Sequence, residues 1–288
     1  MQEKKEQGML YLCATPIGNL SDMTAHVLDT LRSVDLIAAE DTRNSIKLLN
    51  HFEIKVPMTS YHEYNKYDKA ADIIRQIQEG KNVALITDAG TPAISDPGEV
   101  LVHLCQEAGV QVTSLPGACA CITALTLSGL PTRRFCFEGF LPSDKKERRE
   151  LLSELSSETR TMILYEAPHR LIKTLAELYT ALGNRELAVC RELTKRYEEV
   201  RKTTLEAAVS FYEEHEPKGE FVLVIEGRNK KEFEKQEQTD WLLMPIEEHM
   251  ALYEAGGMDR KECMKQVAKD RGMTKREVYK LLLEQEKE

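Results

Sequence analysis

The sequence predicts an α/β protein: two α/β domains followed by a small helical domain. Three observations carry that expectation. Short apolar runs alternate with amphipathic helical patterns over most of the chain. Several of the apolar runs stop on Gly-, Pro- and Ala-rich loops, where parallel sheets present their ligand sites. Beyond a charged stretch without apolar period, residues 228–240 (RNKKEFEKQEQTD), the pattern becomes wholly helical.

The first domain is expected over residues 1–130. Residues 9–14 read as its first strand, 24–32 as a helix and 34–39 as a strand. Asp41 is placed to cap a helix over 41–51, and a helix over 69–79 ends on Gly80. Strand 82–87, helix 97–108 and strand 110–115 follow, then a helix over 117–127 whose small residues permit close packing on a sheet. Gly129-Leu130-Pro131 breaks the pattern. A second domain, 131–228, has strands expected at 135–140, 161–165, 186–191, 199–204 and 220–226, with helices at 145–155, 169–182 and 205–214, the makings of a mixed sheet. A linker spans 229–240 and a helical domain 241–288, with a turn at Gly272-Met273-Thr274.

Composition bounds the function. The chain has 288 residues, 42% hydrophobic and 30% charged, which suits a globular protein. A net charge of −9 argues against coating nucleic acid by bulk charge, yet local patches can still steer RNA. Residues 256–282 carry eight basic and four acidic side chains, a local +4. Two helices around a Gly turn with that surface resemble a helix-turn-helix module; a solvated hairpin that only packs on its neighbour is the alternative. Seven scattered cysteines without a CxxC pair, seven scattered histidines, a polar start and no apolar run of membrane length together imply reduced thiols, no metal, no membrane and a cytoplasmic location.

Chemistry is expected at the loops. ATPIGNLSD (14–22) follows the first strand. TDAGTPAISDPGE (87–99) follows a buried strand and opens a helix, with Asp96 as cap and Pro97 at the first helical position. Its first half places Ala89 and Gly90 at the strand end with little side chain over the backbone, which suits the close approach of a flat adenosine cofactor. It is no GxGxxG, so the dinucleotide fingerprint is absent. LPGACA (115–120) and YEAPHR (165–170) repeat the design.

ATPIGNLSD, AEDTR, SYHEYN, TDAGTPAISDPG, PGACA, EGFLP, YEAPHR and GEFVLVIEG occur in this order between residues 9 and 227. Together they resemble the bacterial ribosomal RNA small subunit methyltransferase I family, which 2′-O-methylates a cytidine in the decoding region of 16S rRNA. The resemblance covers nearly the whole chain, its tail included. It implies the tetrapyrrole-methylase fold with S-adenosylmethionine in the cleft between two α/β domains, a homodimer, and 16S rRNA or the small ribosomal subunit as partner. It also implies cofactor contacts from Pro16, Thr87, Asp88, Ile94, Cys119, Ala120, Tyr165 and Glu166. Cys119 stands where related proteins often have Ser or Thr, and a thiol is the weaker donor.

Methyl transfer from a sulfonium to a ribose oxygen is an in-line displacement with a neutral leaving group, so alignment and a modest base are what a protein must supply. Candidates for the base are His62 (with Glu63), Glu40 (with Asp41) and Glu166 (with His169). Arg43 either pairs with Asp41 or holds a phosphate, and Arg170 clamps a phosphate or a carboxylate. His62, between Tyr61 and Tyr64 in a polar loop, reads as substrate surface. Further candidate RNA contacts are Lys195, Arg196, Lys275 and Arg276; Arg133-Arg134, Lys145-Lys146 with Arg148-Arg149, and Arg201-Lys202 are other basic clusters. Two rivals remain at this point: a small-molecule methyltransferase acting on a tetrapyrrole precursor, and an RNA-binding factor without catalysis.

Overall fold

A computed structural model describes residues 7–229 and 241–285. The charged linker expected over 229–240 therefore lies, apart from Asn229, outside the described residues. The chain falls into two compact units: Met1–Ser153 with Arg160–Glu226, and Glu154–Thr159 with Gly227–Glu288.

The first unit holds two five-stranded sheets. The first is parallel throughout, in the order β3-β2-β4-β1-β5, from β1 (Met9–Cys13), β2 (Leu36–Ala39), β3 (Met58–Ser60), β4 (Val83–Ile86) and β5 (Gln111–Leu115). β2 and β4 are buried along their whole length, as continuous LIAA and VALI runs require when both faces are covered. On one face, Val27 and Leu31 of α1 (Ala25–Ser33) and Leu49 of α2 (Thr42–His51) pack with Cys13, Ile37 and Ile86. On the other, Ala70, Ile73 and Ile77 of α3 (Lys66–Gln78) and Leu101 and Cys105 of α4 (Gly98–Glu107) pack with Leu10, Leu12 and Leu85. β3 was not expected: it is three residues long and pairs only with β2, so its period is too short to read.

The second sheet is mixed, in the order β6-β7-β10-β8-β9, from β6 (Phe135–Phe140), β7 (Thr161–Glu166), β8 (Glu186–Arg191), β9 (Glu199–Thr204) and β10 (Phe221–Ile225). β6 runs parallel to β7, and the remaining pairs are antiparallel. Helices α5 (Ala120–Ser128), α6 (Lys145–Ser156), α7 (Pro168–Leu182) and α8 (Leu205–Glu214) belong to this half of the chain. α5 precedes the boundary expected at residue 130 yet packs on the second sheet. Its Cys121, Ala124 and Leu125 pack with Ile163, Ala188, Cys190, Val222 and Val224, so it is core of the second sheet. α5 is apolar nearly all round, and sequence alone does not say which sheet such a helix covers.

The C-terminal unit contains α9 (Ile246–Ala255), α10 (Arg260–Asp270) and α11 (Lys275–Gln285) around Ile246, Met250, Cys263, Val267, Val278 and Leu282. Thr274 and Glu277 form a reciprocal capping box at the start of α11: the Glu277 amide donates to Thr274 Oγ1 (3.3 Å) and the Thr274 amide to Glu277 Oε2 (2.7 Å). Fully buried His249 stacks on Trp241 and accepts at Nδ1 from Arg271 Nε (3.1 Å). Burial, then the Arg271 charge, depresses the His249 pKa below its ordinary 6.5. The unfolded chain therefore takes a proton that the folded one resists. This unit is expected to keep its full stability above about pH 6.5 and to lose it progressively below, seen as falling amide-exchange protection in α9–α11. Protection unchanged down to about pH 5 would remove His249 as the titrating group.

None of the seven cysteines is in a disulfide. Among the described residues no helix is long and apolar enough to cross a membrane, and no cluster of three His, Cys, Asp or Glu side chains has metal-site geometry.

Candidate active site

The strand order locates the site. From β1 the chain moves to β2 on one side, while from β4 it moves to β5 on the other. β1 and β4 are neighbours, so the loops leaving them diverge and open a crevice beyond their carboxyl ends. The two loops are sewn together at its base. Thr15 and Gly90 exchange backbone hydrogen bonds of 2.9 and 3.0 Å, and the Thr15 hydroxyl donates to the Thr87 carbonyl at 3.1 Å. Gly90 has φ +87°, and a Cβ there would lie 3.3 Å from the Ile17 side chain. The third loop joins through Thr91, whose hydroxyl donates to the Ala118 carbonyl at 3.0 Å. Gly117 lets that loop approach, since a Cβ on it would stand 2.6 Å from Ala14 Cβ.

Downstream, the second loop is held in a strained shape. Ala93 and Ser95 adopt φ of +70° and +64°, conformations costing a non-glycine residue about 1–2 kcal/mol each. Asp96 holds it there: its carboxylate accepts from the amides of Ala93 (3.0 Å), Ile94 (3.2 Å) and Gly98 (2.7 Å). Asp96 is not the N-cap that was expected: α4 begins at Gly98 with Pro97 as its N-cap, and Asp96, one residue earlier, accepts from the first helical amide. Replacing Asp96 by Ala is expected to cost about 1–3 kcal/mol of stability and to weaken ligand binding at this loop. Thermal denaturation with and without ligand checks both; a variant indistinguishable from the wild type would show that the loop holds itself.

Around this crevice lies a cavity of about 370 Å³. Ile17, Thr87–Asp96 (without Pro92 and Ala93), Cys119 and Ala120 line it from the first three loops, and Phe140, Tyr165–Pro168, Leu193 and Glu220–Val222 from the second sheet and its connections. Glu40 reaches it from the end of β2. Phe137 and Phe140 pack edge-on against Tyr165 at 4.9 and 5.7 Å, and the Tyr165 hydroxyl accepts from the Cys121 amide at 3.1 Å. The wall is thus mainly apolar and aromatic on the second-sheet side, where Glu166 and Glu220 are its carboxylates. Towards the first sheet it has small residues and carboxylates.

Of the residues expected to contact a cofactor, Thr87, Asp88, Ala89, Gly90, Ile94, Cys119, Ala120, Tyr165 and Glu166 all line this cavity. Pro16 does not; its neighbour Ile17 does. Sequence reasoning did not single out Phe140 or Glu220–Val222, although the motifs EGFLP and GEFVLVIEG contained them.

The three candidate bases separate. Glu40 lies on the cavity wall with Oε2 accepting from Thr87 Oγ1 at 2.7 Å. Glu166 also borders the cavity but is engaged inside its own unit: Oε1 accepts from the Ala167 amide (2.8 Å) beside Arg170 Nε (3.5 Å), and Oε2 accepts from Thr174 Oγ1 (2.5 Å). Thr174 in turn accepts from buried Arg148, which also pairs with Glu177. His62 is not on the cavity wall, because β3 sits at the sheet edge with β2 between it and β4. Its Nδ1 is buried without a hydrogen-bond partner. The loop around it is less a free surface than its polar sequence suggested. Tyr61 is 1% exposed and donates to the Pro97 carbonyl, and Asn65 accepts from the His62 amide. Tyr64, 97% exposed, faces solvent as expected, beside exposed Glu63.

Several expected RNA cations are occupied. Arg43 forks onto Asp41, with bonds of 3.1 and 2.8 Å, and holds that carboxyl at about 2. Asp41 caps α2 through the Arg43 amide, as expected. Arg170 lies against Glu166 and donates to the Leu141 carbonyl at 2.7 Å. Lys195 pairs with Glu192 (3.1 Å) and Glu220 (2.8 Å). Arg196 is exposed above the Tyr197 ring, and Lys275 and Arg276 are exposed at the start of α11.

A cavity at the switch point of a parallel five-stranded sheet, backed by a mixed sheet, defines a class. Residues 9–209 match the family of tetrapyrrole (corrin/porphyrin) methylases. The fold is also that of uroporphyrin-III-C-methyltransferase from Thermus thermophilus, with a TM-score of 0.54 at 19% identity over 76% of this chain and 94% of that one. Two full-length relatives are more specific. The ribosomal RNA small subunit methyltransferase I of Synechocystis sp. is 47% identical over 97% of this chain and 99% of its own length. That of Halalkalibacterium halodurans is 48% identical over 97% and 96%. The chain belongs to the ribosomal RNA small subunit methyltransferase I family, and it is a methyltransferase.

Proposed function

We propose that this protein transfers a methyl group from S-adenosylmethionine to the 2′-hydroxyl of a cytidine in the decoding region of 16S rRNA, working in the cytoplasm as a homodimer. The observation that carries this reading is the cavity beyond β1 and β4. Its volume, about 370 Å³, is within the range of small-molecule sites. Its side-chain-poor wall at Ala89, Gly90 and Ala120 offers backbone groups to an adenosine, and Asp88 and Glu220 suit the cationic part of the cofactor. When bound, the cofactor supplies an electrophilic methyl group on a sulfonium.

The chain's own residues supply alignment and the proton acceptor. Ile94, Phe140, Tyr165 and Phe221 give the cavity an apolar surface for the cofactor to pack on, and Thr15–Gly90 pairing ties its floor. Glu40 is the base this geometry favours. Thr87 fixes Oε2, and Oε1 is left to take the ribose proton as the new C–O bond forms. His62, off the wall beside exposed Tyr64, is assigned to RNA contact.

The C-terminal unit is assigned to RNA binding through α10 and α11, which expose Lys261, Lys265, Lys269, Lys275 and Arg276. Replacing Lys275 and Arg276 by Ala is expected to reduce the slope of log affinity against log salt by about 1–2 while leaving cofactor affinity unchanged. An unchanged slope would make this unit a packing element. Light scattering tests the dimer, and calorimetry with S-adenosylmethionine tests the cavity.

A further inference from the structure

Two thiols meet at the edge of the cavity. Cys119 lies on its wall at the N-cap of α5, and Cys121, 5% exposed, lies directly behind. Their sulfurs are 3.4 Å apart, close enough for either to donate to the other. Cys119 makes no side-chain capping bond, so it can rotate without unwinding the helix. We propose that this pair is an oxidant-sensitive modification site, in which a peroxide converts Cys119 and Cys121 to an intrachain disulfide that weakens cofactor binding in the cavity.

The chemistry follows from the two environments. The Cys121 thiol, followed by the first amides of α5 and the Thr91 hydroxyl, favours the thiolate of Cys119. The same neighbour, together with burial, keeps Cys121 protonated. Cys119 is therefore the attacking sulfur. Its thiolate displaces hydroxide from the peroxide: an S–O bond forms, the O–O bond breaks, and the sulfur is oxidised by two electrons to a sulfenic acid. The Cys121 sulfur then attacks that sulfur. An S–S bond forms, the S–O bond breaks, and the departing hydroxide takes the Cys121 proton to leave as water. The net change is two thiols and one peroxide giving one disulfide and two waters.

Closing the gap to about 2.05 Å pulls the start of α5 and the Ala118–Cys119 backbone together. That backbone is tied to the rest of the site. Ala118 accepts from Thr91 of the second loop, and the Cys121 amide donates to Tyr165 across the cavity. The disulfide is expected to weaken cofactor affinity about tenfold, the equivalent of one or two lost hydrogen bonds. Three buried cysteines supply inert controls. Cys13 and Cys190 are buried with thiols pushed up to about 12, and Cys105 to about 11.

The consequence for binding rests on the cofactor reading of this cavity; the modification itself does not. The test uses the full-length reduced protein, hydrogen peroxide at low molar excess, peptide mass spectrometry and calorimetry with S-adenosylhomocysteine. The expected result is a peptide spanning both cysteines that is lighter by two hydrogens, is restored by dithiothreitol, and appears with the loss of affinity. Cys121→Ala should instead leave a sulfenic acid at Cys119 that dimedone traps. Oxidation that spares the pair, or that modifies Cys13, Cys105 or Cys190 as readily, would overturn the proposal, as would a disulfide that leaves affinity unchanged. Reduced protein without affinity for S-adenosylhomocysteine would sink the cofactor reading alone, because the mass change is read independently of it.

Discussion

Replacing Gly90 by Val is expected to lower affinity for S-adenosylmethionine by about 100-fold or more, with the fold retained. Two effects act together. At φ +87° a β-branched residue is strained, and the new side chain would lie 3.3 Å from Ile17 at its first carbon, with two methyl groups still to place in the cavity. The backbone cannot retreat, because Gly90 N and O are both bonded to Thr15. Gly90→Ala should fall between, since it adds the strain and little volume. A bulky residue at Ala89 should act in the same direction. Calorimetry measures the loss, and circular dichroism shows whether the fold persists. Folded Gly90→Val with unchanged affinity would move the cofactor to another site.

The second large effect is at Glu40. Glu40→Gln keeps the size of the side chain and removes the proton acceptor. Turnover should fall about 10²–10⁴-fold, the usual cost of a general base, with cofactor affinity nearly unchanged. Thr87→Val frees the oxygen that Thr87 holds and should cost turnover less, because the carboxylate remains. His62→Ala should reduce apparent affinity for RNA and leave the rate at saturation close to wild type. Glu166→Gln should show mainly as lost stability, since its two oxygens serve Ala167, Thr174 and Arg170. Single-turnover assays on 16S rRNA fragments separate these. A Glu40→Gln rate close to wild type would remove it as the base.

What the sequence made legible was the set of strand ends. TDAGTP and PGACA mark them because a close backbone approach leaves no room for large side chains, and that constraint is local. In the second sheet β7, β8 and β10 were readable from apolar runs that the fold buries. Partnerships set by the tertiary fold were not readable. Nothing in SYHEYN shows that Tyr61 would be buried under Pro97 while Tyr64 remains in water. The carboxylate partners of the cations were readable only in part. Arg170 lies four residues after Glu166, and Lys195 three after Glu192, spacings at which a helix or turn already offers each a carboxylate. Glu40 differed from His62 only through strand order, since β2 borders β4 and β3 does not.

The most direct test is to incubate bacterial small-subunit RNA, bare and as assembled subunits, with the protein and S-adenosylmethionine labelled in its methyl group, and to map the label by nuclease digestion and mass spectrometry. The predicted result is one label, on the 2′-oxygen of a cytidine in the decoding region, present with wild-type protein and absent with Gly90→Val. Label on a base, on a tetrapyrrole precursor offered in competition, or undiminished in Gly90→Val would contradict the account.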